Sequence, residues 1–228
     1  MTGKRALVTG GSGDIGGATC KALAASGHHV IVHANRNRAR ADALVDEILS
    51  AGGSAEAVAF DITDATATRA AIDKLLADGS IQILINNAGI HDDAPLAGMT
   101  DTQWRGVIDV SLNGFFHATQ PLLLPMARKR WGRIVSVSSV AAVTGNRGQT
   151  NYAASKAGAA SLTKTLGEAW ARDGIRVVDY RDDATAVLTA TADGGGAAAP
   201  ARRRPCAGCN GRSPCNRPQG PSRFRASP

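Results

Sequence analysis

The chain has 228 residues, 43% of them hydrophobic and 20% charged, a balance that suits one ordinary domain and excludes an intrinsically disordered polymer. The formal net charge is +7, but residues 1–200 hold equal numbers of cations and acids, while residues 201–228 carry seven arginines and no acid; the excess belongs to a tail, not to a broad nucleic-acid surface. No apolar run approaches the roughly 18 residues of a membrane span, and the opening MTGKRALVTG lacks the apolar core of a signal peptide, so a cytoplasmic protein is expected. Of the four cysteines, only Cys20 lies in the body of the chain, which argues against a disulfide framework. Cys206, Cys209 and Cys215 lie in the tail with no histidine to complete a four-ligand zinc site, so free thiols and no metal are expected.

In chain order, short apolar runs predict strands at 5–9, 29–33, 55–60, 81–85, 133–137 and 175–178. Between them, amphipathic patterns predict helices at 15–26, 38–51, 65–77, 101–130 and 151–172, with Gly27, Gly52, Gly79 and Gly174 placed as C-terminal stops. Alternation of this kind predicts an α/β fold, a Rossmann-type doubly wound parallel sheet. We place the domain at residues 1–180. The Ala/Gly/Pro/Arg mixture of 181–228 cannot bury enough apolar surface to order itself and is read as a disordered basic tail.

Four groups of residues carry chemistry. The first strand runs into Thr9-Gly10-Gly11-Ser12-Gly13-Asp14-Ile15-Gly16 and then a helix; glycines at a strand–helix turn let backbone N–H groups approach a pyrophosphate. Taken alone this is also an ordinary turn. The second strand ends in His33-Ala34-Asn35-Arg36-Asn37-Arg38 without the acid that would hold the ribose hydroxyls of NAD, so Arg36 is expected to pair with a 2′-phosphate, with Arg38 and Arg40 facing water. Asn86-Asn87-Ala88-Gly89 closes the fourth strand, either as a plain turn or as amides that fix backbone and cofactor together. Finally, Ser138-Ser139 precede Tyr152-Ala-Ala-Ser-Lys156. Tyr152 and Lys156 are four apart and share a helix face. A free phenol titrates near about 10, and a cation one turn away favours its loss of a proton; in isolation the same spacing is usually a surface pair.

Taken together, TGGSGDIG, NNAG, the Ser139 position and YAASK resemble the classical short-chain dehydrogenases/reductases over about residues 4–178. NNAGIHDDAPLAGMT and WGRIVSVSSVAAVTGNRGQTNYAASKAG are most similar to 3-oxoacyl-[acyl-carrier-protein] reductases of the FabG type. The resemblance implies NADPH-dependent reduction of a 3-oxoacyl thioester to the 3-hydroxyacyl thioester, in fatty-acid or polyketide-like synthesis. It implies that Tyr152 donates the proton, that Lys156 binds the nicotinamide ribose and lowers the tyrosine pKa, and that Ser139 orients the carbonyl. It also implies cofactor contacts at Gly10, Ser12, Asp14, Ile15, Gly16, Asn35, Arg36, Asp61, Ile62, Asn87, Ala88 and Gly89, besides Tyr152 and Lys156. An acyl carrier protein is the implied partner, with Arg128, Lys129 and Arg130 as the docking patch and Arg133 close by; the same cations also simply complement a helix C-terminus.

Three departures from the family's pattern stand out. Asp14 replaces a glycine and is expected to point outward and cap the helix. Ser111 occupies the position of the family's catalytic asparagine, with Asn113 two residues on and facing elsewhere; proton resupply is the step this touches, and a Ser111 hydroxyl that holds the relay water is expected to serve it. After IRV the family continues into a Pro-Gly turn, a substrate-covering segment and a seventh strand, whereas VDYRDDATAVLTATADGGG follows here. We read this as a frameshift near Val177 or Val178, which leaves a sheet edge open and puts the family's homo-tetramer in question. Competing readings are a reductase for another carbonyl (a polyketide intermediate, a coenzyme A thioester or a sugar-like ketone), a truncated reductase that at most binds dinucleotide, and a tail that binds nucleic acid. The last lacks any folded nucleic-acid module.

Overall fold

The computed structural model describes residues 3–180. The basic tail, its three cysteines and nearly all the sequence read as frameshifted lie outside the described residues.

The predicted strands form, with ends shifted by one or two residues. They are β1 (Arg5–Val8), β2 (His29–Ala34), β3 (Ser54–Ala59), β4 (Ile83–Asn86), β5 (Gly132–Val137) and β6 (Ile175–Tyr180). All pairings are parallel and the order is β3-β2-β1-β4-β5-β6. The chain winds outward from β1 to β3, then crosses back to β4, so the strand order reverses between β1 and β4. In an open parallel sheet, ligands bind outside the strand C-termini at that reversal.

Alternation along each strand sorts the core into two layers. Leu7, Ile31, Leu84, Ile134 and Ile175 face α3 (Ala65–Ala77) and α5 (Gly114–Arg128), packing with Ile72, Leu75, Leu122 and Met126. Ala6, Val8, Val30, Val32, Ile83 and Ile85 face α1 (Asp14–Ala25) and α2 (Arg38–Ser50), packing with Cys20, Ala24, Leu44 and Ile48. Burial on both faces is what the near-continuous apolar runs of parallel strands require. The buried Cys20 thiol is pushed up to about 12 by desolvation, which makes it a core residue rather than a nucleophile. The glycine stops at Gly27, Gly52, Gly79 and Gly174 all have positive φ.

The long helix expected at 101–130 is not uniform. It comprises α4 (Asp101–Ile108), a π-helical turn at Asp109–Asn113, and α5. Thr100 and Gln103 start α4 with a reciprocal capping box. Three elements were not expected: a 3₁₀ turn at Leu96–Gly98 before α4, a short α6 (Ala141–Thr144) after β5, and a 3₁₀ turn at Ala171–Asp173 that separates α7 (Thr150–Trp170) from β6. Among the described residues no helix is long and apolar enough to cross a membrane.

Candidate active site

The glycine-rich turn is built so closely that side chains are excluded. A Cβ on Gly16 would lie 2.3 Å from Gly10 O, and one on Gly10, whose φ is +63°, would meet Ala88 Cα at 3.0 Å. Polar side chains lock the turn to β4. Asn87 Nδ2 donates to Thr9 O (3.0 Å) and Gly10 O (3.1 Å), and Thr9 Oγ1 accepts from the backbone N–H groups of Asn87 and Ala88. Asn87 and Ala88 therefore act here by fixing the backbone. The N-cap of α1 is Gly13, with no side chain to satisfy the first N–H groups, whereas α2 and α3 are capped by Asn37 and Asp64. A helix start left open beside a close-packed glycine turn is fit to receive a phosphate.

Sequence reasoning missed His33. Its ring is 1% exposed at the end of β2; Nδ1 accepts from Gly10 N–H (3.0 Å), so Nε2 carries the proton that it donates to Phe60 O (2.9 Å). Burial holds its pKa below 6.5, which keeps the acceptor for Gly10 in place. A lone histidine inside an apolar strand carries no motif by which to find it.

Asp14 points outward as expected but does not cap the helix. It is the first residue of α1 and caps nothing; its carboxylate is almost wholly exposed and accepts from Arg40 Nη2 at 3.1 Å. Arg40 is thus paired rather than merely solvated, as Arg38 is with Asp42 at 3.4 Å. Asn35 and Arg36 are exposed beyond β2, and Ser12 and Ile15 border the turn. Asp61 Oδ1 accepts from the Thr63 hydroxyl (2.7 Å) and backbone N–H (3.0 Å), which hold its pKa below the usual carboxylate value with help from Arg36. Ile62 is 3% exposed, its side chain packed in the core against Gly114; only its backbone can serve a nucleotide, because the side chain points away.

Across the strand reversal lies a cleft of about 300 Å³ lined by Ile15, Asn87, Gly89, Ser139, Tyr152 and Lys156, among others. β5 delivers Ser139 and α7 delivers Tyr152 and Lys156. Ser139 Oγ accepts from Ala141 N–H at 3.2 Å, which leaves its own proton to donate into the cleft. Lys156 is 5% exposed; Nζ donates to Val137 O at 2.7 Å and stands 5.7 Å from the Tyr152 ring centre. Desolvation lowers its pKa to about 8, against the opposing pull of Asp179, so the group is poised to exchange a proton near neutral pH. Gly89 brings backbone beside it: a Cβ there would sit 3.3 Å from Lys156 Nζ and 3.4 Å from Ser111 Oγ. The fully buried Asn151, also missed, donates to Asp92 O and Gln103 O and accepts from Tyr152 N–H. It ties the start of α7 to α4 and the loop after β4.

The π turn decides between Ser111 and Asn113. Ser111 is 4% exposed, whereas Asn113 is exposed and donates to Asp109 Oδ1 at 2.7 Å. Ser111 shares with Thr9, Asn86, Ser136 and Lys156 a cavity of about 10 Å³, about the space one water needs. Two buried oxygens there, Ser111 Oγ and Asn86 Oδ1, have no hydrogen-bond partner. The basic triplet stands apart from this site. Arg128 ends α5, and Lys129 and Arg130 lead to the N-terminal end of β5, so the length of β5, roughly 20 Å, lies between them and Ser139. Arg130 Nη2 is engaged by Arg172 O, and the Arg133 guanidinium stacks 4.4 Å from the Trp131 ring.

Comparisons with known proteins agree with this fold. A family model for the short chain dehydrogenases matches residues 4–188. The 3-oxoacyl-[acyl-carrier-protein] reductase of Synechocystis sp. is 42% identical over 178 residues, 78% of this chain and 72% of that protein. The acetoacetyl-CoA reductase of Cupriavidus necator is 38% identical over the same shares of the two chains. Among solved structures, a gluconate 5-dehydrogenase from Burkholderia cenocepacia in complex with NADP and tartrate superposes with a TM-score of 0.76 at 33% identity, covering 79% of this chain and 71% of that one.

Proposed function

Because the chain belongs to the short chain dehydrogenase family, we propose that it is an NADPH-dependent reductase of 3-oxoacyl thioesters, with an acyl carrier protein as the carrier of its substrate and fatty-acid or polyketide-like synthesis as its setting. The observation that carries this reading is the convergence of Ser139, Tyr152 and Lys156 on one cleft beside the glycine-rich turn.

The cofactor fits the residues present. A Cβ would fill the cradle at Gly10 and Gly16, and β2 is followed by Asn35 and Arg36 with no acid to repel a 2′-phosphate. Gly10, Ser12, Ile15, Gly16, Asn87 and Gly89 would border the dinucleotide, with Asp61 and the backbone of Ile62 toward its base. When bound, it supplies a hydride.

The remaining chemistry belongs to the chain. The Ser139 hydroxyl, its lone pair occupied by Ala141 N–H, donates to the ketone oxygen and fixes its direction. The Tyr152 phenol delivers a proton to that oxygen. Lys156, desolvated and titrating near pH 8, binds ribose hydroxyls and returns a proton toward Tyr152. Ser111 stands where a water bridged to Lys156 would connect this pair to further proton donors, so the hydroxyl does the work of the family's asparagine. The match to the two thioester reductases supports the substrate class. The carrier is favoured over coenzyme A by closer identity to the carrier-protein enzyme, and Arg128, Lys129 and Arg130 are the cations it would meet.

The test is NADPH oxidation by the full-length chain with a short 3-oxoacyl group on carrier protein or on coenzyme A. A kcat/KM at least tenfold higher for the carrier-protein substrate is expected, and charge reversal at Arg130 should narrow that gap. Turnover of neither thioester, with NADPH still bound, would favour a second reading: a chain that binds dinucleotide with impaired catalysis. One observation supports that reading. Val178, on the outermost described strand beside the cleft, is 47% exposed.

A further inference from the structure

The ion pair between Asp14 and Arg40 has no part in the mechanism above, yet it sits on the nucleotide side of the molecule. Arg40 is placed by its backbone: its N–H donates to Asn37 Oδ1 (3.3 Å), the cap that starts α2. Its guanidinium reaches back across the groove between α1 and α2 to Asp14. Ser12, Gly13, Asp14 and Arg40 together line an open cleft of about 440 Å³, shared with the Lys21–Glu47 pair at its far end. The guanidinium is therefore held beside the start of α1, at the Ser12–Asp14 end of the glycine-rich turn.

The pair is a weak one. Asp14 and Arg40 side chains are 97% and 61% exposed, and exposed ion pairs are cheaply broken. A phosphate dianion that accepts two parallel N–H bonds from a guanidinium is a stronger partner than an exposed carboxylate.

We propose that Asp14 and Arg40 form a latch that sets cofactor preference: Arg40 is a contact for the 2′-phosphate of the dinucleotide, and Asp14 competes with that phosphate for it. This rests on the reading of the chain as NADP-dependent and adds a residue to it. Arg36, just beyond β2, then shares the phosphate with Arg40. Asp14 is the feature that weakens discrimination against NAD.

The experiment is calorimetric titration of the full-length chain with adenosine 2′,5′-bisphosphate-type probes, namely 2′-phospho-5′-ADP against 5′-ADP, which need neither nicotinamide nor catalysis. Arg40→Met should weaken the 2′-phosphorylated probe roughly ten- to a hundredfold, the range of a charge-assisted hydrogen bond, and leave 5′-ADP within about twofold. Asp14→Asn should tighten the 2′-phosphorylated probe about three- to tenfold, and this gain should vanish in the Asp14→Asn/Arg40→Met double variant. If Arg40→Met keeps the wild-type preference, or the double variant keeps the gain, the latch is overturned while NADP dependence stands. If the unmodified chain binds both probes equally, the NADP reading fails with it.

Discussion

The two sides of the strand reversal are finished to different degrees. In the nucleotide half, β1, β2 and β3 with α1 and α2, polar groups around the turn are closed in pairs: Thr9 with Asn87 and Ala88, Asn87 with Thr9 and Gly10, His33 with Gly10 and Phe60. Toward β5 and α7 the accounting is left open. Asn86 Oδ1, Ser111 Oγ and Ser138 Oγ are buried without partners, Lys156 is desolvated, and Val178 is exposed on the last described strand. A buried polar atom without a partner costs roughly 1–3 kcal/mol, so such atoms gather where capacity is kept for a substrate, a water or a moving proton. The first half is fitted to a ligand by closed hydrogen bonds and close packing; the second keeps polar groups unsatisfied, as a reacting site requires.

The sharpest way to separate the halves is Tyr152→Phe. Removing one hydroxyl from the reacting side should cut kcat/KM by roughly 10²–10⁴, the worth of a positioned proton donor, while NADPH affinity falls far less and the urea midpoint stays within error. If affinity collapses too, the halves are not independent and the division fails. Gly16→Ala is the mirror experiment. Its Cβ would strike the Gly10 carbonyl, so NADPH binding measured by fluorescence should weaken tenfold or more, with about 1–3 kcal/mol of lost stability. The fold should persist, with Lys156 still titrating low.

How much of this was legible beforehand follows the same division. The glycine turn, the missing acid after β2 and the Tyr152–Lys156 spacing are local strings, and a local string reports a local geometry; the doubly wound parallel plan followed from alternating apolar periods. What sequence did not report is tertiary. The π turn that buries Ser111 and exposes Asn113 sits inside an amphipathic pattern, with Gly106 and Gly114 on either side of it and Pro121 and Pro125 further along α5. Asn151 and His33 take their meaning from carbonyls distant in sequence, Asp92 and Gln103 for one and Phe60 for the other. Ile62 followed family position while its side chain followed hydrophobicity into the core. Asp14 was read as a cap because its type suits one, but Gly13 already holds that place.

Lys156→Met tests whether the reacting half is kept at a cost in stability. The folded-state pKa of about 8 lies below the ordinary lysine value of 10.5, so the neutral amine is the form that folding favours. The lysine's contribution is therefore full above pH 10.5 and is lost as pH falls toward 8, by roughly 3 kcal/mol in total. Methionine has no such loss but forgoes the bond to Val137 O, about 1 kcal/mol. At pH 7 the variant should be inactive yet more stable by about 1–2 kcal/mol in urea, and the advantage should disappear by pH 10. An equal or lower stability at pH 7 would mean that Lys156 is compensated and the site is not strained.

The smallest effect belongs to the nucleotide half and concerns acid. His33 has a folded pKa below 6.5 because it is desolvated, so its contribution to stability is whole above pH 6.5 and declines as pH falls through the lowered folded value. Protonation would turn the acceptor for Gly10 N–H into a second donor facing it, so the loss should be felt at the turn itself. His33→Asn can keep an oxygen toward Gly10 but cannot titrate. We expect it to be less stable than the unmodified chain at pH 7.5 by about 1 kcal/mol, for the lost bond to Phe60 O. Between pH 7 and 5 its urea midpoint and its NADPH affinity should fall less steeply. If both proteins show the same acid slope, the turn owes its closure to Asn87 and Thr9 alone, and the nucleotide half has no titrating member.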